Sequence, residues 1–257
     1  MKQHIRGYDL AHCGLGGAMG LGIVQHCLRA SRRFWSQHGS ERQADVATRK
    51  IISRNRRFLI APVPKVGTKT LKVMLQQLND DPDVGVDIAF VNAPLHACLA
   101  GLEPGYAVFS MVRNPWSRAL SCYRNKIRSS RVGDVAIRSR YAGLTPVMSF
   151  ADFIRWLDDE EGQDDIADRH WLSQHRLLSD PETKQLLCTR IGKFESFRSD
   201  VTAFLDEVGL GDLEILHINQ TAEDNDPRSY RSAYDVETKA IIARRYRQDI
   251  EIFGYDF

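Results

Sequence analysis

The stretch LIAPVPKVGTKTLKV, residues Leu59–Val73, sets the expected fold of this 257-residue chain. An apolar run ends at two prolines, a turn holds one glycine between two lysines, and a helix-like pattern follows. The run predicts a short buried strand, and the apolar spacing beyond the turn predicts one face of a helix. A strand, a tight turn and a helix leave unpaired backbone N–H groups at the helix N-terminus, where an anion is stabilised. The residues predicted to form this anion-binding loop are Lys65, Val66, Gly67, Thr68, Lys69 and Thr70.

Strands and helices alternate along the rest of the chain, which predicts an α/β fold with a P-loop-like, mostly parallel central sheet flanked by helices. Tyr106–Val112 reads as a second buried strand, and Pro115 suits the first turn of a helix that runs to about Arg128. The further predicted elements are strands at 186–194 and 215–218, helices at 150–159 (capped by Ser149), 197–208 and 235–250, and an aromatic tail at 253–257. We assign residues 56–257 to this domain and residues 1–55 to an N-terminal extension.

Composition and charge narrow the class of protein. The content of 43% hydrophobic and 26% charged residues is ordinary for a soluble globular protein. A net charge of +2 does not indicate a nucleic-acid binder, while local basic stretches suit a small anionic ligand. The five cysteines are odd in number and show no CxxC spacing, which argues against a disulfide framework or a zinc site and favours a reducing compartment. No metal site is expected.

A glycine-rich segment near the N-terminus, Leu10–Leu28, is long enough to span a bilayer and has basic flanks. A convincing span is about 20 mostly apolar residues, whereas this segment contains His12, Gln25 and His26. Membrane association through this segment is therefore considered but not favoured over a loosely packed extension.

The anion-binding loop does not match the ATP-binding pattern GxxxxGK[ST]. Aligning the lysine of that pattern with Lys69 requires glycine at Thr68, and aligning its second glycine with Gly67 leaves Thr68 where lysine belongs. Without this match, the sequence does not indicate a magnesium-bound triphosphate at the loop.

A different phosphate loop is a better match. The segment PKVGTKTLK, Pro64–Lys72, resembles the 5′-phosphosulfate loop of sulfotransferases that use 3′-phosphoadenosine 5′-phosphosulfate (PAPS), in the form found in the Golgi carbohydrate family that includes chondroitin 4-sulfotransferases. Lys69 stands where that family usually has Ser or Thr. The segment FSMVRNPWSRALSCYRNK, residues 109–126, resembles the 3′-phosphate motif of the same family, with Arg113 and Ser121 at its phosphate-binding positions. Weaker similarity in RHWLSQHRLL, in RIGKFESFRSD and in the closing helix and tail YDVETKAIIARRYRQDIEIFGYDF extends the resemblance over roughly residues 57–257.

This resemblance implies a sulfotransferase fold and transfer of a sulfuryl group from PAPS to a carbohydrate hydroxyl by in-line displacement, without a metal. It gives Lys65 the role of stabilising the leaving phosphate oxygen. His96 lies between the two motifs, where related enzymes often place a catalytic His or Glu, and is the expected general base. His170 is the second candidate for the base and is read first as an acceptor-site or structural residue.

The acceptor site, the overall function and the localisation each leave an alternative open. Arg124 and Arg128 begin a basic segment that would suit an acidic glycan acceptor, or would equally form a solvated surface. A P-loop kinase-like phosphotransferase and a non-enzymatic nucleotide- or glycan-binding module are the competing functions. The weak anchor and few cysteines favour a cytoplasmic protein, and the alternative is a Golgi membrane protein with a lumenal catalytic domain, as in the animal members of the family.

Overall fold

The computed structural model describes residues 44–79, 85–213, 215 and 228–257. Its centre is a five-stranded sheet in the order β3-β1-β2-β4-β5. The strands are β1 (Thr48–Ser53), β2 (Phe58–Ile60), β3 (Ala89–Ala93), β4 (Ala107–Val112) and β5 (Arg190–Lys193).

The sheet is mostly parallel, as predicted. Strands β2, β4 and β5 pair in parallel, and β1 pairs antiparallel with both β2 and β3. Four of the five strands therefore run in one direction and β1 alone opposes them. The parallel strands β2 and β4 bring the two predicted phosphate motifs to the same edge of the sheet.

Strand β1 corrects the predicted domain boundary. Thr48–Ser53 lies inside the stretch assigned to the N-terminal extension, yet it is an inner strand with a partner on each side. The strand was not predicted because its polar residues are typical of an exposed segment. Lys50 is instead fully buried, and its ammonium group donates to Thr48 O, Thr48 Oγ1 and Ala93 O. The candidate membrane segment Leu10–Leu28 and most of the predicted strand at 215–218 lie outside the described residues.

Nine α-helices belong to the described ranges of the chain. They are α1 (Thr68–Asn79), α2 (Leu95–Leu99), α3 (Pro115–Cys122), α4 (Val132–Arg138), α5 (Phe150–Asp158), α6 (Gln174–Leu178), α7 (Phe197–Glu207), α8 (Val236–Arg245) and α9 (Arg247–Phe253). None of the helices in these ranges is long and apolar enough to cross a bilayer.

Two predicted helices are interrupted. The helix that begins at Pro115 ends as an α-helix at Cys122 and continues as one π-helical turn, Tyr123–Ile127. The C-terminal helix divides at Tyr246, whose backbone angles (φ −110°, ψ 29°) depart from helical values. The start at Ser149 is confirmed as a capping box with Asp152.

The core lies on both faces of the sheet. On one face the ring of Phe109 stacks on Phe204 of α7 with centroids 4.3 Å apart, and Phe58 meets the same ring edge-on. Side chains alternate along a strand, so Val108 and Val112 point to the opposite face, and both are buried as well. A sheet covered on both faces is the arrangement expected for parallel strands.

The aromatic tail packs back as predicted. The ring of Phe257 meets Trp116 edge-on at 5.5 Å and also contacts Tyr230 and Tyr234. One residue earlier, the carbonyl of Asp256 accepts a hydrogen bond from Asn114 Nδ2. Since the Asn114 side chain also caps α3, the C-terminus of the chain supports the start of that helix.

Candidate active site

The predicted anion-binding loop connects β2 to α1 in a tight turn. Its backbone enters the left-handed region at Lys65 (φ 77°) and at Gly67 (φ 78°). A Cβ atom at Gly67 would lie 2.8 Å from Cε2 of Phe197, so the position is restricted by both conformation and space. The first turn of α1 contains no acidic side chain, and the N–H groups that begin a helix have no i−4 acceptor within it, although that of Thr70 donates to the carbonyl of Gly67 at 3.0 Å. This end of α1 therefore favours an anion.

Lys65 lies in a strongly cationic environment. Burial, followed by neighbouring cations that include Lys126 and Arg113, lowers the pKa of Lys65 to about 8. An anion placed at the loop would offset this repulsion and favour the charged ammonium group.

Arg113 follows β4 directly and reaches the loop. Its Nη1 donates to the carbonyl of Lys65 at 3.3 Å, and its Nε donates to Ser117 Oγ at 2.9 Å. The guanidinium carbon lies 4.2 Å from the centroid of the Phe194 ring. Gln174 holds the backbone of Arg113 from both sides, since Oε1 accepts from its N–H and Nε2 donates to its carbonyl. The two predicted phosphate motifs, distant in sequence, thus meet at this side chain.

Arg118 has a structural role that the sequence did not indicate, although it lies in the second motif. Its side chain is buried, and its guanidinium donates to the carbonyls of Pro64, Leu172 and Arg169 at 2.9–3.2 Å. These contacts bind the loop to the segment that carries His170.

His170 forms a dyad with Asp168, a fully buried carboxylate. The ring Nδ1 lies 2.5 Å from Asp168 Oδ1, and the other carboxylate oxygen accepts from Arg140 Nη2 at 2.7 Å. Burial lowers the pKa of His170, while its hydrogen bond to Asp168 opposes that shift. Burial also raises the pKa of Asp168, but the hydrogen bonds and charge of His170 outweigh this and hold that pKa below its usual range. With Nδ1 engaged as a donor, Nε2 is the ring nitrogen that can accept a proton.

A cleft of about 310 Å³ joins the loop to this dyad. Its lining includes Pro64, Thr68 and Lys69 together with Arg169 and His170. Residues of β1, β3 and α1 also line it, among them Arg49, Phe90 and Lys72.

The other predicted loop residues differ in exposure. Val66 is fully buried and Thr70 is buried, so their side chains support the loop from below. Thr68 and the exposed Lys69 line the cleft. Ser121 lies half-buried in the last turn of α3, and the hydroxyl that contacts Arg113 is that of Ser117 instead.

Three further predicted residues lie elsewhere in the described structure. His96 is half-buried in α2, where burial lowers its pKa and the nearest charges include Asp180 and Lys50. It is not among the described residues that line the cleft. Arg124 and Arg128 are exposed in and after the π-helical turn, and the cleft lining among these residues does not include them either. No group of three or more His, Cys, Asp or Glu residues in the described part of the chain is arranged to hold a metal ion.

One edge of the sheet thus carries the predicted anion-binding loop after β2 and an arginine after β4, with a histidine–aspartate dyad near the loop. The chain belongs to the sulfotransferase family, whose family model matches residues 48–256. That match begins at β1, in agreement with the corrected boundary.

Curated relatives support the same family. Carbohydrate sulfotransferase 14 from Mus musculus is 29% identical over 180 residues, which cover 62% of this chain and 46% of the relative. The Homo sapiens protein of that name is also 29% identical, over 177 residues, and the Danio rerio protein is 26% identical over 180 residues. The chain spans about half the length of these relatives. No solved structure matches it.

Replacement of Gly67 tests the geometry of the loop. We expect Gly67→Ala to lower the free energy of unfolding by roughly 1–3 kcal/mol, because the left-handed conformation and the contact with Phe197 both oppose a Cβ atom. Urea unfolding measures the loss. Gly85→Ala is the matched control for conformation alone (φ 59°, open space), and Gly133→Ala, in α4 with open space, controls for the added methyl group. Equal losses at Gly67 and Gly85 would show that Phe197 does not restrict the loop.

Proposed function

We propose that this protein transfers a sulfuryl group from PAPS to a hydroxyl group of a carbohydrate. The observation that carries the proposal is the contact between Arg113 Nη1 and the carbonyl of Lys65, which brings the 5′- and 3′-phosphate motifs of the family together at one edge of the sheet. Family membership over residues 48–256 supports sulfuryl transfer, and the curated relatives are named carbohydrate sulfotransferases.

The donor would lie along the edge formed by β2 and β4. The backbone N–H groups of the loop and the ammonium of Lys65 would hold its 5′-phosphosulfate, and the guanidinium of Arg113 would hold its 3′-phosphate. Ser117 orients Arg113, and Ser121 is two helical turns along α3, where a hydroxyl can add to the same phosphate site. In the reaction the acceptor oxygen forms a bond to sulfur while the bond from sulfur to the phosphate oxygen breaks. Lys65 stabilises the charge that develops on this leaving oxygen.

The acceptor hydroxyl must also lose its proton. Of the two histidines considered from the sequence, His170 has the more suitable surroundings, because it lines the cleft beside the loop and Asp168 holds its Nδ1. Asp168 would orient the ring and stabilise the imidazolium that forms when Nε2 takes the proton. His96 stays the alternative base, and the two are separated experimentally below.

Calorimetric binding without magnesium tests the proposed donor. We expect adenosine 3′,5′-bisphosphate to bind at least about tenfold more tightly than ADP, since a bidentate charge-assisted contact from Arg113 to the 3′-phosphate contributes roughly 1.5–3 kcal/mol. Arg113→Ala should remove that preference, and Arg247→Ala, at an exposed surface ion pair, should not. A preference for ADP with magnesium would favour the kinase-like alternative instead.

Lys65→Ala should lower the rate of transfer by ~10²–10³, because one group that stabilises the leaving oxygen is lost. Radiolabelled sulfate transferred from PAPS to a panel of glycans is the readout. Lys184→Ala is the control, since Lys184 is an exposed lysine outside the loop and outside the cleft lining of the described residues. Turnover of the Lys65 variant close to that of the unmodified protein would remove this lysine from the mechanism. Donor binding by the unmodified protein without transfer to any acceptor would favour a binding module.

His170→Gln should lower kcat by ~10²–10⁴ while leaving the affinity for adenosine 3′,5′-bisphosphate unchanged. His96→Gln is the paired variant, and a large loss there with activity kept in His170→Gln would assign the base to His96. The pH profile adds a second readout. Because burial lowers the pKa of His170, activity should persist below the usual histidine range and be lost as the pH falls further and the ring is protonated.

A further inference from the structure

The buried side chain of Gln174 holds the backbone of Arg113, the arginine that would bind the 3′-phosphate of the donor. We propose that Gln174 is a positioning residue: its amide fixes the direction in which the Arg113 side chain leaves the backbone, and so gives the donor site its selectivity for a nucleotide with a 3′-phosphate. This inference rests on the proposed function and identifies a residue that enforces donor selectivity through another side chain.

Arg113 lies at a point where strand pairing ends. The register of β4 against β5 runs as far as Val112, which pairs with Lys193, and Arg113 is the next residue. Because peptide groups are planar, the φ and ψ angles of Arg113 decide where its side chain points. Beyond the paired part of the strand, those two angles depend on whatever holds the peptide groups on either side of its Cα atom.

The amide of Gln174 holds both of these peptide groups. Its Oε1 accepts from the N–H of Arg113 at 2.9 Å, and its Nε2 donates to the carbonyl of Arg113 at 2.8 Å. One hydrogen bond therefore restrains the peptide group before the Cα atom, and the other restrains the peptide group after it. Gln174 is fully buried, so a shift of either group would leave buried polar atoms without a partner, which is costly.

Gln174 is held in turn by Asp249, a fully buried carboxylate of α9. One of its oxygens accepts from the N–H of Gln174 at 2.8 Å. The other accepts from the N–H of His175 at 2.8 Å and lies 2.7 Å from Nδ1 of the same residue. The carboxylate thus satisfies two N–H groups in the first turn of α6. The position of the amide therefore depends on the C-terminal helix of the chain.

A second side chain restrains the peptide group after Arg113. The N–H of Asn114 donates to Glu195 Oε1 at 2.8 Å, and the other carboxylate oxygen of Glu195 accepts from the Tyr255 hydroxyl at 3.0 Å. Glu195 is exposed, so water can replace its contact with the backbone at little cost. The buried amide of Gln174 is therefore the contact whose loss should reorient Arg113 most.

The experiment compares two nucleotides that differ only in the 3′-phosphate: adenosine 3′,5′-bisphosphate and adenosine 5′-monophosphate. Calorimetry gives both affinities, and their ratio isolates the contribution of the 3′-phosphate. Gln174→Met removes both hydrogen bonds, and Gln174→Asn keeps an amide that is one CH₂ group too short to make both. Asp249→Asn weakens the support of Gln174. Ile154→Val, at a fully buried position of α5, controls for a loss of core stability.

We expect the unmodified protein to bind the bisphosphate at least about tenfold more tightly than the monophosphate, as for one charge-assisted contact. Gln174→Met should bring this ratio close to that of Arg113→Ala, with little change in the affinity for the monophosphate. Gln174→Asn and Asp249→Asn should lower the ratio less, and Ile154→Val should leave it unchanged. A purely structural role predicts instead that both affinities fall together, which would overturn the proposal.

A double-mutant cycle tests whether Gln174 acts through Arg113. Because Arg113→Ala already removes the contact with the 3′-phosphate, adding Gln174→Met should not lower the ratio further. A further drop in the double variant would overturn the proposal, and so would an unchanged ratio in both Gln174 variants. If urea unfolding shows that Gln174→Met does not fold, Gln174→Asn and Asp249→Asn decide the outcome, and an unchanged ratio in both overturns it.

Failure of this inference is distinct from failure of the proposed function. Preference for the bisphosphate and sulfuryl transfer by the unmodified protein, with the preference kept in the Gln174 variants, would leave the function standing without this positioning role. Absence of any preference in the unmodified protein would overturn both, because Arg113 would then have no 3′-phosphate to bind.

Discussion

The buried guanidinium of Arg118 is the contact on which the site depends. Its donors reach the carbonyls of Pro64, Leu172 and Arg169, which belong to the phosphate loop and to the segment that carries the dyad. A buried guanidinium is stable when its N–H groups have acceptors, so the loop and this segment cannot separate without leaving a buried charge unsatisfied. Arg118 thereby links the loop to the segment that carries His170.

The other charged side chains of the site are of two kinds: cations that a bound anion would stabilise, and ions that neighbouring side chains already neutralise. Lys65 belongs to the first group, with its pKa lowered to about 8. Asp168 belongs to the second, because His170 and Arg140 both contact it. This division fits a site that binds negatively charged molecules through its loop and cleft while keeping one histidine neutral and oriented, since an orienting carboxylate must itself be compensated.

Much of the fold was predicted from sequence patterns that act within a single turn. Pro115 at the start of α3, the helix cap at Ser149 and the loop after β2 were predicted from residue types whose effect is confined to one turn. Prediction failed for β1, because a buried lysine with three hydrogen-bond acceptors cannot be told from a solvated one in the sequence. It also missed the π-helical turn Tyr123–Ile127, since the helical period alone does not reveal where an extra residue is accommodated.

The sequence by itself determined the tight turn between β2 and α1 and the position of Arg113 at the end of β4, because each depends on backbone geometry within a few residues. The tertiary structure alone decided that His170 lies beside the loop, that Arg118 joins the two segments, and that Arg49 meets Phe90. These contacts depend on strand order and pairing register across long separations in the chain. Such pairings are set by how the whole core packs, and no local pattern of residues specifies them.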